Sequence, residues 1–334
     1  MKLVLALILA ASSAASATQA DVVSEASGAA LQADVRRALE LIGDVAPATL
    51  SLKDRQFVTC MRGRFSGPGT ITPASAALAD RALAIYQSYW RQALTQPETR
   101  QAAEVRLEAA LRGLLRAKKG ADLDNLLAKR LEATGWHSLE GRTGLLRELM
   151  LWKKQDEKTV PVALPGGEYK VHVYLLNSFK SFGWSYYATC GRRATGGWTT
   201  DEALFAVVPR YDSLDSEEFK VSFLGHEAQH FADKGEFKNL KPWELEYRAK
   251  LTELSLANAT RGKVLEKFVE DQGDDPASPH SYADRKILEA LVERLDLKSV
   301  DELATVSLER LQAAARETLL EDSQRRRSAE GKVK

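Results

Sequence analysis

Apolar positions along the first half of the chain recur at steps of three and four. Leu83, Tyr86, Trp90 and Leu94 are one such series, the spacing of a helix with one buried face. Between residues 21 and 158 this pattern predicts helices over 31–42, 74–95, 97–117, 123–133 and 144–154, with no strand candidate. Ser66-Gly67-Pro68-Gly69 reads as a turn between helices. The texture changes at Val160-Pro161. Residues 169–176 combine strand composition with partial alternation, and 183–189 and 203–208 are further strand candidates, separated by the Gly-rich stretch 191–197. Helical periodicity then resumes. The order predicts an α+β fold: an N-terminal helical bundle over 21–158, then a small, mostly antiparallel sheet with helices over 159–323. The polar stretch 324–334, with Arg325-Arg326-Arg327, reads as a frayed basic tail.

The start of the chain adds a compartment. Lys2 precedes the apolar run Leu3 to Ala11, and Ala15-Ser16-Ala17 or Thr18-Gln19-Ala20 offers a cleavage site, the layout of a signal peptide over 1–20. That run is too short to span a bilayer, and no later segment is apolar enough to do so. The expectation is an exported protein, periplasmic or secreted from a bacterial cell, with no integral membrane segment after cleavage. Lys plus Arg total 47 against 46 for Asp plus Glu, a balance that argues against a nucleic-acid partner. In an oxidising compartment the two cysteines, Cys60 and Cys190, are candidates for a disulfide.

Chemistry concentrates in His226-Glu227-Ala228-Gln229-His230. Ser213 to Ser216 offers capping residues for a helix through this segment, Glu217 and Glu218 suit its first turn, and Gly235 is a candidate stop. Val221, Leu224, Ala228, Phe231 and Ala232 then form a packing stripe, and both histidines face the other way. A four-residue step sets the two imidazoles one turn apart, where they can share a zinc ion. Glu227 stands beside that ion as a general base.

A catalytic zinc takes three protein ligands and keeps one position open. Pro242 suits the start of the next helix. On it Glu246, Ala249, Glu253 and Ala257 share one face, and the alanines permit close approach. Glu246 is the best third ligand, and Glu253 suits accepting a histidine N–H behind the metal; Glu253 and Cys190 remain alternatives as ligands. His280 and Tyr282, in the predicted loop Pro279-His280-Ser281-Tyr282, are candidate donors for the oxyanion of a hydrolytic reaction, although Tyr282 also suits a packing role at a helix start.

On His226-Glu227-Ala228-Gln229-His230 and Glu246-Tyr247-Arg248-Ala249-Lys250, the chain resembles the gluzincin metallopeptidases, the thermolysin-like enzymes and their wider group. The resemblance covers residues 195–257. It implies a zincin-like catalytic domain, one zinc ion per chain, and an edge strand beside the active helix that holds peptide or protein substrate. Related families often place an aspartate four residues after the ligand glutamate; this chain has Lys250 there, which leaves Asp233 or Glu253 for the orienting role. The expected activity is that of a zinc metallopeptidase. The alternatives are a non-catalytic, metal-containing binding module and a deformylase-like zinc amidase with Cys190 as a ligand.

Overall fold

The structure is a computed structural model that describes residues 19–330 apart from Pro68. Residues 1–18 of the expected signal peptide and 331–334 of the expected tail lie outside the described residues. The fold is α+β, in two compact units. One takes the chain up to Leu151 together with Lys180–Ala194; the other takes Trp152–Phe179 and the chain from Thr195 onward. The division thus falls earlier than the expected residue 158, and the chain returns once to its first unit.

The first unit is mainly helical. The helix expected over 31–42 forms as α2 (Val35–Leu41), and an unexpected helix, α1 (Gln19–Leu31), precedes it. Ala33 adopts φ 63°, and the Asp34 carboxylate caps α2 by accepting the Arg37 N–H. Helix α3 (Leu52–Phe65), absent from the sequence expectation, is capped by Ser51 and buries Phe57, Val58, Met61 and Phe65. The remaining expected helices form as α4 (Leu78–Thr95), α5 (Arg100–Leu115) and α6 (Leu123–Glu132). Leu107, Leu111, Leu127 and Leu131 close the core around Trp90.

The helix expected over 144–154 does not form. Short strands β1 (His137–Leu139), β2 (Arg142–Thr143), β3 (Leu146–Arg147) and β4 (Met150–Trp152) take its place. Gly141 and Gly144 adopt φ 101° and 55°, turning the chain where a helix would continue. The Trp90 indole N–H donates to Arg147 O at 2.8 Å, and the Tyr89 hydroxyl accepts the Arg147 N–H at 3.1 Å. Backbone groups that a helix would pair internally are thereby met from α4.

The chain next forms the hairpin β5 (Lys154–Leu164) and β6 (Gly167–Asn177) of the second unit, then returns for β7 (Ser181–Phe182) and α7 (Trp184–Ala188). Helix α7 replaces the strand expected over 183–189. Gly183 adopts φ 88°, and the Glu148 carboxylate accepts the Trp184 N–H at 3.0 Å, an acceptor that steers this aromatic-rich stretch into a helical turn. Past α7, Cys190 is disulfide-bonded to Cys60 of α3. The bridge spans a separation of 130 residues, and cross-links of that length stabilise by about 4–5 kcal/mol in the chain-entropy model.

The second unit holds a four-stranded sheet in the order β5-β6-β9-β8, with β8 (Gly197–Thr199) and β9 (Leu204–Val207). Pairings are antiparallel except for the parallel β6–β9 pair, Val173 opposite Leu204. Pro161, which cannot donate to a ladder, lies in end strand β5. Val171, Val173, Leu204 and Ala206 pack against Phe223, Leu224, Ala228 and Ala232. These last four lie on a π-helix, Glu218–Gly225, and on the α-helix that continues it, α8 (His226–Glu236). The expected single α-helix thus has a wider first half, in which Phe219 and Phe223 are buried. Helix α8 also passes Gly235 and ends at Glu236, with Phe237 as its extended C-cap.

Helices α9 (Pro242–Leu256), α10 (Arg261–Asp271), α11 (Pro279–Leu295) and α12 (Leu308–Glu330) complete the unit. Two expectations are corrected here. Residues 279–282 are the first turn of α11, with Pro279 at its start, where its missing N–H costs nothing. The stretch from Gln324 to Glu330 is helical. Arg326 pairs with Asp322 and Glu244, and Arg327 with Glu236, so charge anchors what composition alone marks as frayed. Among the described residues no helix is long and apolar enough to cross a membrane.

Candidate metal centre

Helix α8 begins at His226, and its first turn carries both histidines on one side. Their Nε2 atoms lie 3.2 Å apart. Helix α9 brings Glu246 against them, Oε2 at 3.5 Å from His226 Nε2 and Oε1 at 3.4 Å from His230 Nε2. Ala249, one turn after Glu246 on α9, is fully buried, whereas Ala257 lies past the end of α9 in the core shared with α10, α11 and α12. Ligand atoms arranged tetrahedrally at about 2.0–2.1 Å from a zinc ion stand about 3.3–3.4 Å from one another. Among the described residues, His226, His230 and Glu246 form the group whose ligand atoms all fall within 4.8 Å. Donor types and spacing both fit a divalent metal.

The surrounding groups sort the remaining candidates. Glu253 Oε2 lies 3.5 Å from His226 Nδ1, so Glu253 orients a histidine and sits outside the ligand set. Asp233 does not share that role. Its oxygens accept from Gln229 at 2.8 Å and from Arg248 at 2.8 and 2.9 Å, and Thr252 donates to Gln229 at 2.8 Å. Arg248 also reaches Asp322 at 2.7 Å and Ser323 at 3.0 Å. This buried network fixes α8 to α9 and α12. Cys190 is oxidised to its disulfide in the first unit and has no thiolate to offer a metal, which removes the basis for the deformylase-like alternative.

Electrostatics favour a positive charge at this point. Burial lowers the His226 pKa, but the Glu246 and Glu253 carboxylates outweigh it and push the imidazole up to about 10. Burial acts to raise Glu246, yet His226, His230 and His280 hold it far below the usual carboxylate range. Glu253 is lowered as well, His226 prevailing over burial. A proton or a metal ion can meet the demand of two carboxylates around two imidazoles.

The centre opens into a cleft of about 660 Å³. Glu227 lines it beside the histidines and accepts a hydrogen bond from the Thr199 hydroxyl of β8. His280 lines it too, 72% exposed, with Nδ1 2.8 Å from Glu246 Oε2. Tyr282 is outside the lining; its ring packs edge-on against Trp243 at 5.2 Å, with Lys286 over its face. The packing role weighed for it is the one the structure places there. Sequence reasoning missed Thr199 and Tyr211. Burial, with Glu227 nearby, raises the Tyr211 pKa well above its usual value, and its hydroxyl donates to Gly196 O at 3.0 Å, fixing the start of end strand β8. The signal for Tyr211 was an aromatic immediately ahead of the capping run; nothing local marks Thr199. No family model, curated protein or solved structure matches the chain.

Proposed function

We propose that the chain is an exported, zinc-dependent metallopeptidase of the gluzincin type, with His226, His230 and Glu246 as ligands to one zinc ion. The observation that carries this reading is the convergence of two imidazole Nε2 atoms and both Glu246 oxygens at 3.2–3.5 Å, beside Glu227, in an open cleft. Zinc, when bound, supplies Lewis acidity to a water and to a substrate carbonyl. The Glu227 carboxylate takes the proton of the attacking water and hands it to the leaving amine. Thr199 holds that carboxylate in place from β8. Glu253 accepts the Nδ1–H of His226 and keeps its Nε2 turned to the centre. His280 offers the nearest imidazole donor on the cleft wall for a developing oxyanion. Peptide substrate is supported by β8, which ends the sheet and lines the cleft with Gly197, Trp198 and Thr199, an edge suited to an added strand. Export is supported by the leader over 1–20 and by the disulfide, which persists in oxidising compartments.

Metal analysis combined with a peptidase assay tests the reading. Glu227→Gln is expected to keep about one zinc per chain and to lose on the order of 10²–10⁴ in rate. His226→Ala and His230→Ala lose the metal and the activity with it. Equal hydrolysis by wild type and Glu227→Gln would remove the enzyme assignment; one bound zinc with no hydrolysis of any unfolded protein would make the chain a metal-containing binding module.

A further inference from the structure

The first unit carries a cavity of about 380 Å³ on the face formed by α1, the start of α3 and the segment after α7. Its lining includes Ser24, Ser27, Lys53, Phe57, Arg192 and Arg193, and no acidic side chain. Three cations therefore meet in one hollow of a chain whose formal net charge is only +1. Arg192 is partly committed, to Asp54 at 2.5 Å, and lies over the Phe57 ring. The Lys53 and Arg193 side chains have no hydrogen bond or ion pair among the described residues. A disulfide and a tight turn hold the arginines: Cys190 is tied to α3, and Cys190 and Gly191 adopt φ 51° and 86°.

A second observation points to a ligand. Ser27 is 3% exposed, and its hydroxyl has no hydrogen-bond partner. A helical serine usually returns its hydroxyl to the carbonyl four residues earlier; this one lines the cavity without doing so. A buried hydroxyl left unmatched is destabilising, and a ligand oxygen in the cavity would relieve that cost. The α3 N-terminus, capped by Ser51, adds its partial positive charge beside Lys53.

We infer that this hollow is an anion site that takes a phosphate group, with Lys53, Arg192 and Arg193 as charge partners and the Ser27 hydroxyl as donor. Guanidinium groups match phosphate oxygens in pairs, and a cavity of this size admits the group with part of the molecule that bears it. The site is distinct from the metal centre and does not depend on the peptidase reading.

Titration calorimetry of the full chain with inorganic phosphate at low ionic strength tests it. Binding is expected in wild type, and Lys53→Gln with Arg193→Gln should weaken it about tenfold or more. Ser27→Ala should weaken it about tenfold, with an unchanged circular dichroism spectrum for each variant. His226→Ala, which removes the metal, should bind phosphate as wild type does. A parallel arm uses phosphatidylglycerol vesicles: capture lost in the double variant identifies the source as a lipid headgroup, and phosphate binding without capture identifies a soluble phosphate. No binding of either probe, phosphate binding unchanged in the double variant, or phosphate binding lost in His226→Ala overturns the inference.

Discussion

Under the proposed reading, single residues divide between those that would meet the metal and those that hold them in place. His280 and Tyr282 were equivalent candidates by position, and the structure separates them: one lines the cleft, the other packs on Trp243. His280→Ala is expected to lower kcat by about 10²–10³, the usual loss for one oxyanion donor, with zinc content unchanged at saturating metal. Tyr282→Phe should leave kcat where it is. A steady-state comparison in which His280→Ala also leaves kcat unchanged would take His280 out of the mechanism. Away from the cleft, Glu140 carries a pH signature. Burial pushes its carboxyl up to about 7, with Ser138 opposing and Asp124 adding to the rise. A raised folded-state pKa favours the neutral form. Its stabilisation is complete below the ordinary value of 4.5 and is lost as pH climbs through about 7. Thermal melts of wild type should therefore lose on the order of 2 kcal/mol between about pH 5 and about pH 8 relative to Glu140→Gln, after allowance for partial exposure. Parallel melting curves for the two proteins would show that Glu140 is not buried as described.

At the scale of elements, the buried Arg248 network makes α12 a structural partner of α8. Asp322→Ala strips one carboxylate from a buried guanidinium and is expected to destabilise the second unit by about 3–5 kcal/mol. Denaturant unfolding measures it; an unchanged midpoint would leave α12 without that role. The elements also show where sequence reasoning works. The period of three and four found α4, α5 and α6, because each buries a continuous stripe. It failed over 144–154, where Leu145, Leu146, Leu149, Met150 and Leu151 satisfy either period and the deciding partners, Tyr89 and Trp90, are distant in sequence. It failed at α7 for the same reason, since Glu148 lies 36 residues from the N–H it caps. Helix α3 was legible in Ser51, Phe57, Met61 and Phe65 and went unread. The juxtaposition of His226, His230 and Glu246 was readable because two members sit one turn apart and the third is on the next helix. Thr199 reaches Glu227 only through the pairing of β8 with β9.

For the molecule as a whole, the return of residues 180–194 to the first unit sets an order in time. A chain made from its N-terminus exposes Cys60 long before Cys190, 130 residues later. At about 5–20 residues per second, that interval is on the order of ten seconds. In it, the β5–β6 hairpin of the second unit must emerge before the last helix of the first unit exists. The helices α1 to α6 thus wait, core partly open, for Trp184 and Ala188 to arrive. With two cysteines in the chain, no wrong pairing is available inside one molecule. The hazard during the wait is a thiol on another chain whose own bridge is still open, so the local concentration of unoxidised chains in the oxidising compartment sets how often it is met.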